Sequence, residues 1–152
     1  MVPRRSGLIV AISGYTGVTY TYGVIFGTCK VAVDRMARDM AIELEPYNIV
    51  SLSLWQGLTY TERAQRNLGR NPEMKNATVT NPAVGCSPEF PGRVVAALAA
   101  DPEAMKRSGG TFITAEIAMD YGITDIDGKV VPSLRAERGS PIWGPIAGTE
   151  RR

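Results

Sequence analysis

Between residues 7 and 55 the side-chain pattern changes period twice, and that change limits the fold more than any other feature. Leu8, Ile9, Val10, Ala11 and Ile12 run without polar interruption and end at Ser13. A short run of this kind suits a parallel strand covered on both faces. A loop rich in Gly, Thr and Tyr follows over 14–23. From about 24 to 45, Cys29, Val33, Met36, Ala37, Met40, Ala41 and Leu44 fall on one helical stripe. Asp34, Arg35, Arg38, Asp39 and Glu43 lie mainly off it. Pro46 ends the helix, and NIVSLSLW at 48–55 reads as a second strand before Gln56-Gly57. Strand, loop, helix, strand is a βαβ unit, which builds a parallel sheet by crossover. Ligands of such sheets bind beyond the carboxyl ends of the strands. Ser13 and the Gln56-Gly57 turn therefore mark one rim.

The rest of the chain continues the α/β alternation. A short helix is expected over 59–68 and a long loop over 69–85. Ser87 is placed to cap a helix with Pro88 at its first position, running to about Ala100 and burying Val94, Val95, Leu98 and Ala99. A third strand is expected at 110–114 and a short helix at 115–121, stopped by Gly122. Asp127-Gly128 reads as a turn; Asp125 and Asp127 are too few donors for a metal loop. Trp55 and Phe90 are expected in the core. Residues 1–131 form the domain, and 132–152, rich in Pro, Gly and Arg, form an irregular, poorly packed tail.

Several function classes fall away on composition. There are no histidines, which removes Ser-His-Asp and Cys-His catalysis and most zinc sites. A net charge of +2 with scattered basic residues does not suit nucleic acid. No apolar run approaches the ~18 residues of a membrane span. Cys29 and Cys86, without CxxC spacing, read as reduced core thiols of a cytoplasmic protein.

What remains is a serine at a strand end, then an aromatic at 26 and a lysine at 30, one helical turn apart. With LIVAIS at 8–13, SLSLWQGLTYTE at 51–62, SPEFPGRVVAALAADP at 87–102 and AMDYGITDIDGK at 118–129, the chain resembles the C-terminal half of the short-chain dehydrogenase/reductase family, nearest its member-one subgroup. The resemblance covers about residues 6–130. It implies an α/β fold holding the last three strands and flanking helices of a Rossmann-like parallel sheet, without the N-terminal dinucleotide-binding half. It implies hydride transfer between NAD or NADP and a small carbonyl or alcohol substrate. In such enzymes a tyrosine exchanges the substrate proton, a lysine lowers its pKa and holds the nicotinamide ribose, and a serine hydrogen-bonds the substrate oxygen. By position these are Phe26, Lys30 and Ser13. Lys30, Gly57, Leu58 and Thr61 match cofactor-contacting positions.

Three departures bear on activity. Phe26 has no proton to exchange, and general acid–base help is worth roughly 10²–10⁴-fold. Gln56 stands where the family has proline. No GxxxGxG turn opens a strand–helix junction. The expectation is a truncated chain, inactive alone and without a full cofactor cradle. The alternatives are a non-catalytic dimerising remnant, or a gene fragment without function. Tyr20 and Tyr22 are possible surrogate phenols. Lys30 otherwise pairs with Asp34 as a surface ion pair. In the family the 26–45 helix packs on its copy, so a homo-oligomer through that helix, or through the open edge of the sheet, is expected.

Overall fold

The apolar runs become β1 (Gly7–Ser13) and β2 (Ile49–Trp55), and a third strand, β3 (Thr111–Ile113), completes a parallel sheet in the order β1-β2-β3. The computed structural model describes residues 1–70 and 84–146. Gly7 stands opposite Ile49 and Ser13 opposite Trp55; on the other side Trp55 stands opposite Ile113. The crossover from β1 to β2 is α1 (Val24–Leu44), which ends just before Pro46 as expected.

β2 is buried at every position because it is the central strand. Its side chains alternate between two layers, as pleating requires. Val50, Leu52 and Leu54 join the main core with Phe90, Val94 and Leu98. Ser51 and Ser53 face α1. The Ser51 hydroxyl donates to the Ala37 carbonyl at 2.8 Å, and the Ser53 hydroxyl donates to Asp34 at 2.5 Å. Trp55 Nε1 donates to the other Asp34 oxygen at 3.0 Å.

That contact corrects the reading of α1. Its buried residues are Asp34, Ala37 and Ala41, while Cys29 is exposed and Met36 is 53% exposed. The helix is turned so that small residues meet the sheet and the Asp34 carboxylate meets two β2 side chains, Ser53 and Trp55. A pattern of apolar residues alone predicts the opposite for Asp34. Cys29 is therefore not a core thiol, whereas Cys86 is buried. β1 is likewise less covered than expected: its residues are mostly half-buried and Ile12 is 39% exposed. Among the described residues β1 has a strand neighbour on one side only.

The later elements are α2 (Glu62–Arg70), α3 (Glu89–Ala100), α4 (Thr114–Asp120) and α5 (Arg135–Arg138). The Ser87 hydroxyl accepts the Phe90 amide at 3.2 Å, the expected cap of α3. Phe90, Pro91, Val94 and Leu98 are the buried face of α3, and Ala99 is exposed. Gly122 follows α4 with φ +64°, where a left-handed residue stops a helix at little steric cost. Most of the predicted 69–85 loop lies outside the described residues.

The stretch after Val131 packs better than its composition suggested. Val131 and Leu134 are buried. The Trp143 carbonyl accepts the Thr111 amide at 2.9 Å, and the Ile146 amide donates to Ser108 at 2.9 Å. Arg38 donates to the Gly144 carbonyl at 2.8 Å. Backbone groups of the tail thus pair with β3 and the segment before it, which proline and glycine content does not reveal. No helix among the described residues is long and apolar enough to cross a membrane, and no metal-ligating cluster is found among them.

Candidate functional site

Two elements fix the centre of the site. Ser13 is the last residue of β1 and only 2% exposed; Lys30 lies in the second turn of α1. The Ser13 hydroxyl donates to the Lys30 carbonyl at 3.2 Å, and Lys30 Nζ donates to the Ile12 carbonyl at 3.3 Å. The strand end and the helix are thereby stitched in both directions. Asp34, four residues on, is committed to Ser53 and Trp55, and no carboxylate among the described residues forms an ion pair with Lys30. The surface pair with Asp34 is thus not formed.

Phe26 sits one turn before Lys30, whose Nζ stands over its ring, 5.8 Å from the centroid. That is cation–π range. Tyr22 meets the same ring edge-on, centroids 5.4 Å apart at 81°. Tyr22 has φ +61°, an uncommon conformation for an aromatic residue, and Gly23 follows at φ +89°. Tyr20 is 84% exposed and Tyr22 71% exposed. On the other wall, Gly57 turns the chain out of β2 with φ +76°, and a Cβ there would meet nothing within 4 Å.

These pieces enclose one cavity of about 250 Å³ at the carboxyl end of the strands. Ser13, Phe26, Lys30, Gly57 and Leu58 all line it, so five of the predicted site residues meet in one place. Thr61 is not in its lining; the Thr61 hydroxyl accepts the Ala64 amide at 3.3 Å and caps α2. Tyr22 and Gln56 line the cavity as well.

Among the lining residues that the sequence did not single out are Tyr15, Leu134 and Arg138. Tyr15 is 8% exposed, and its ring lies 5.1 Å from that of Trp55. Its hydroxyl accepts the Leu134 amide at 3.3 Å. Burial raises its pKa, against the opposing hydrogen bonds of Leu134 and Ser133. An aromatic two residues past a strand end was the available signal for Tyr15. Leu134 and Arg138 carry no such signal, since only the packing of the tail brings them here. Behind this wall Arg135 grips Glu116 through two nitrogens at 2.8 and 2.5 Å, and that bond, followed by the Ser133 hydroxyl bond, holds the Glu116 pKa low against partial burial. Away from the cavity, burial pushes the Cys86 thiol pKa up.

A serine hydroxyl, a lysine amine and a glycine turn meet at the carboxyl rim of the parallel sheet, the place where open α/β folds bind their ligands. No protein-family model matches the sequence. The chain is 37% identical over 135 residues to dehydrogenase/reductase SDR family member 1 of Mus musculus and 33% identical to that of Homo sapiens. Each match covers 86% of this chain and 43% of the relative, so the chain spans less than half the length of the curated relatives it matches. A 3-oxoacyl-[acyl-carrier protein] reductase with bound NAD from Brucella melitensis superposes with a TM-score of 0.55 at 25% identity, over 74% of this chain and 41% of that one. A tyrosine-to-phenylalanine variant of ElxO with NADPH bound superposes at 0.62 and 21% identity, over 75% and 47% of the two chains, and shares the fold. The chain belongs to the short-chain dehydrogenase/reductase family. Its three-stranded parallel sheet with flanking helices matches part of these structures, covering under half of each of the two chains.

Proposed function

We propose that this chain carries the substrate and nicotinamide side of an NAD(P)-dependent carbonyl or alcohol oxidoreductase site, catalytically impaired because Phe26 replaces the proton-exchanging tyrosine. The observation that carries the reading is the shared cavity of Ser13, Phe26 and Lys30, with the Lys30 amine facing a ring that has no hydroxyl. A phenol there would sit beside a cation that favours phenolate; the phenyl ring only holds the amine in place. Lys30, Gly57 and Leu58 would hold the nicotinamide ribose end of the cofactor, and the free space beside Gly57 fits a flat ring. The bound cofactor would supply the hydride. Ser13 would hold the substrate oxygen through its buried hydroxyl, turning its one proton from the Lys30 carbonyl to the substrate.

At about 250 Å³ the cavity is smaller than the ~300–1,000 Å³ of ordinary ligand sites. It suits a nicotinamide end with a small substrate and not a whole dinucleotide, which supports the reading that the cofactor is not held by these residues alone. Titrating the chain with NADH and NADPH, read by energy transfer from tryptophan, is expected to give no saturable signal, and no carbonyl should be reduced. Saturable transfer, or carbonyl reduction by the unmodified chain, overturns the impaired reading. Phe26→Tyr is expected to leave this chain inactive, because a restored phenol supplies no cofactor cradle.

A second reading, a dimerising chain without turnover, draws on the outward side of α1, where Ile25 is 77%, Met36 53% and Ile42 55% exposed. An open apolar helix face and a one-sided β1 favour association. Light scattering tests it, and a clean monomer at ~100 times the usual micromolar assay range removes it.

A further inference from the structure

We infer that the cavity selects a small oxo acid, with Arg138 reading the carboxylate; this names the substrate class of the site proposed above and rests on that reading. The cavity wall holds two cationic residues, Lys30 and Arg138, and no Asp or Glu among its described lining residues. The Lys30 amine reaches the Ile12 carbonyl and the Phe26 ring. The Arg138 guanidinium has no carboxylate and no hydrogen-bond acceptor among the described residues, although the residue is half-buried.

Its neighbour on the same short helix makes the contrast. Arg135 is spent on Glu116 through two hydrogen bonds. Arg138 is left open, yet its backbone is pinned: its amide donates to the Leu134 carbonyl at 2.8 Å, and its carbonyl accepts the Thr19 hydroxyl. Leu134 is itself buried and its amide is held by the Tyr15 hydroxyl. A guanidinium on a fixed backbone, partly desolvated and without a partner among the described residues, is prepared for a planar bidentate acceptor. Two like charges lining one small cavity also repel each other until an anion enters. The carbonyl of the ligand would accept the Ser13 hydroxyl proton in exchange for the Lys30 carbonyl, its carboxylate would take Arg138, and Tyr15, Phe26 and Leu58 would flank a short apolar body. The small volume excludes long-chain acids.

The test needs no cofactor, so it separates this inference from the oxidoreductase reading. Levulinate, its methyl ester and inorganic phosphate are titrated into the full chain at physiological salt by calorimetry and ligand-observed NMR. Levulinate is expected to bind about 10–100-fold more tightly than the ester, the usual range for a charge-assisted contact. Arg138→Gln should erase that preference, and Arg138→Lys should keep part of it because the charge remains but the fork is lost. Because the guanidinium holds no hydrogen bond or ion pair among the described residues, both variants should unfold at the wild-type midpoint. Equal binding of acid and ester, no saturable binding of either, or an acid preference that survives Arg138→Gln overturns the inference. So does phosphate binding as tightly as levulinate to both wild type and Arg138→Gln, which reports an unspecific cationic surface. Levulinate binding as expected in a chain that never reduces a carbonyl would leave the inference standing and remove the oxidoreductase reading.

Discussion

Asp34 joins α1 to β2, and substituting it gives a prediction with a definite size. Asp34 is 3% exposed and takes the Ser53 hydroxyl at 2.5 Å and Trp55 Nε1 at 3.0 Å. Asp34→Ala removes both acceptors. The Ser53 hydroxyl still reaches the Ala11 carbonyl at 3.4 Å, so it is not orphaned. The Trp55 indole N–H has no other acceptor among the described residues, and a buried unsatisfied donor costs about 1–3 kcal/mol. The cavity left by the carboxylate adds to this; relief from burying a polar group subtracts. The net expectation is a loss of about 2–4 kcal/mol, comparable to other broken buried networks. Asp34→Asn behaves differently. Its carbonyl oxygen can keep the indole, and its amide can donate to Ser53 while that hydroxyl turns to Ala11. Its cost should stay below about 1 kcal/mol. Urea unfolding followed by Trp fluorescence and by circular dichroism measures both, with the slope unchanged. A double-mutant cycle with Trp55→Phe should return a coupling of roughly 0.5–3 kcal/mol. If Asn costs as much as Ala, acceptor geometry is not what holds the helix, and the reasoning fails. It also fails if Ala costs under about 0.5 kcal/mol, the scale of an ordinary surface substitution.

Two further outcomes follow from burial. Cys29 is exposed and Cys86 is buried with a raised thiol pKa, so a chromogenic disulfide reagent should titrate one thiol quickly and the second only on unfolding; two fast thiols would contradict the packing around Cys86. Asp125 is 4% exposed, and although burial raises its pKa, the Ser87 hydroxyl and amide, the Ile126 amide and Lys129 together hold it below the ordinary carboxylate value. A depressed folded pKa contributes stability above the unfolded pKa and loses it as pH falls through the folded value. Asp125→Asn should therefore destabilise the chain at pH 7 by about 1–3 kcal/mol, with the gap to wild type narrowing below about pH 4; a gap that does not change with pH would show that the carboxylate charge plays no part.

The sequence made the strands and the crossover legible because β1 and β2 are marked by short apolar runs and α1 is closed by Pro46. It did not reveal which side of α1 faces the sheet. That helix carries apolar residues on two sides, and periodicity cannot choose between them. The choice was made by Ser53 and Trp55, which receive Asp34 from about twenty residues away in sequence. The Ser13–Lys30 core of the site was legible from spacing, since both residues belong to one local βαβ unit. The far wall was not. Leu134 reaches Tyr15 across 119 positions, and its segment has the proline and glycine content of a loose tail. Backbone bonds such as Trp143 to Thr111 hold that segment, and backbone bonds leave no mark on side-chain pattern.

The ladder between β1 and β2 has a consequence for folding. Ser13 lies beside Trp55, and the Ser53–Ala11 bond spans 42 positions, so this pairing forms only after a long loop has closed. Side chains alternate along a strand, so a slip of one residue would exchange the faces of Ser13 and Ile12. The slipped sheet would keep nearly all its ladder bonds while placing a branched hydrocarbon where the hydroxyl belongs. The slip would also take Leu8 and Val10 off the core and break the Ser13 bond to Lys30, so the correct frame is the more stable one and ligand binding adds to that preference. Any ligand of this cavity therefore acts as a proofreader of strand alignment, binding only chains that have closed the crossover in the correct frame and drawing the remainder toward it by mass action.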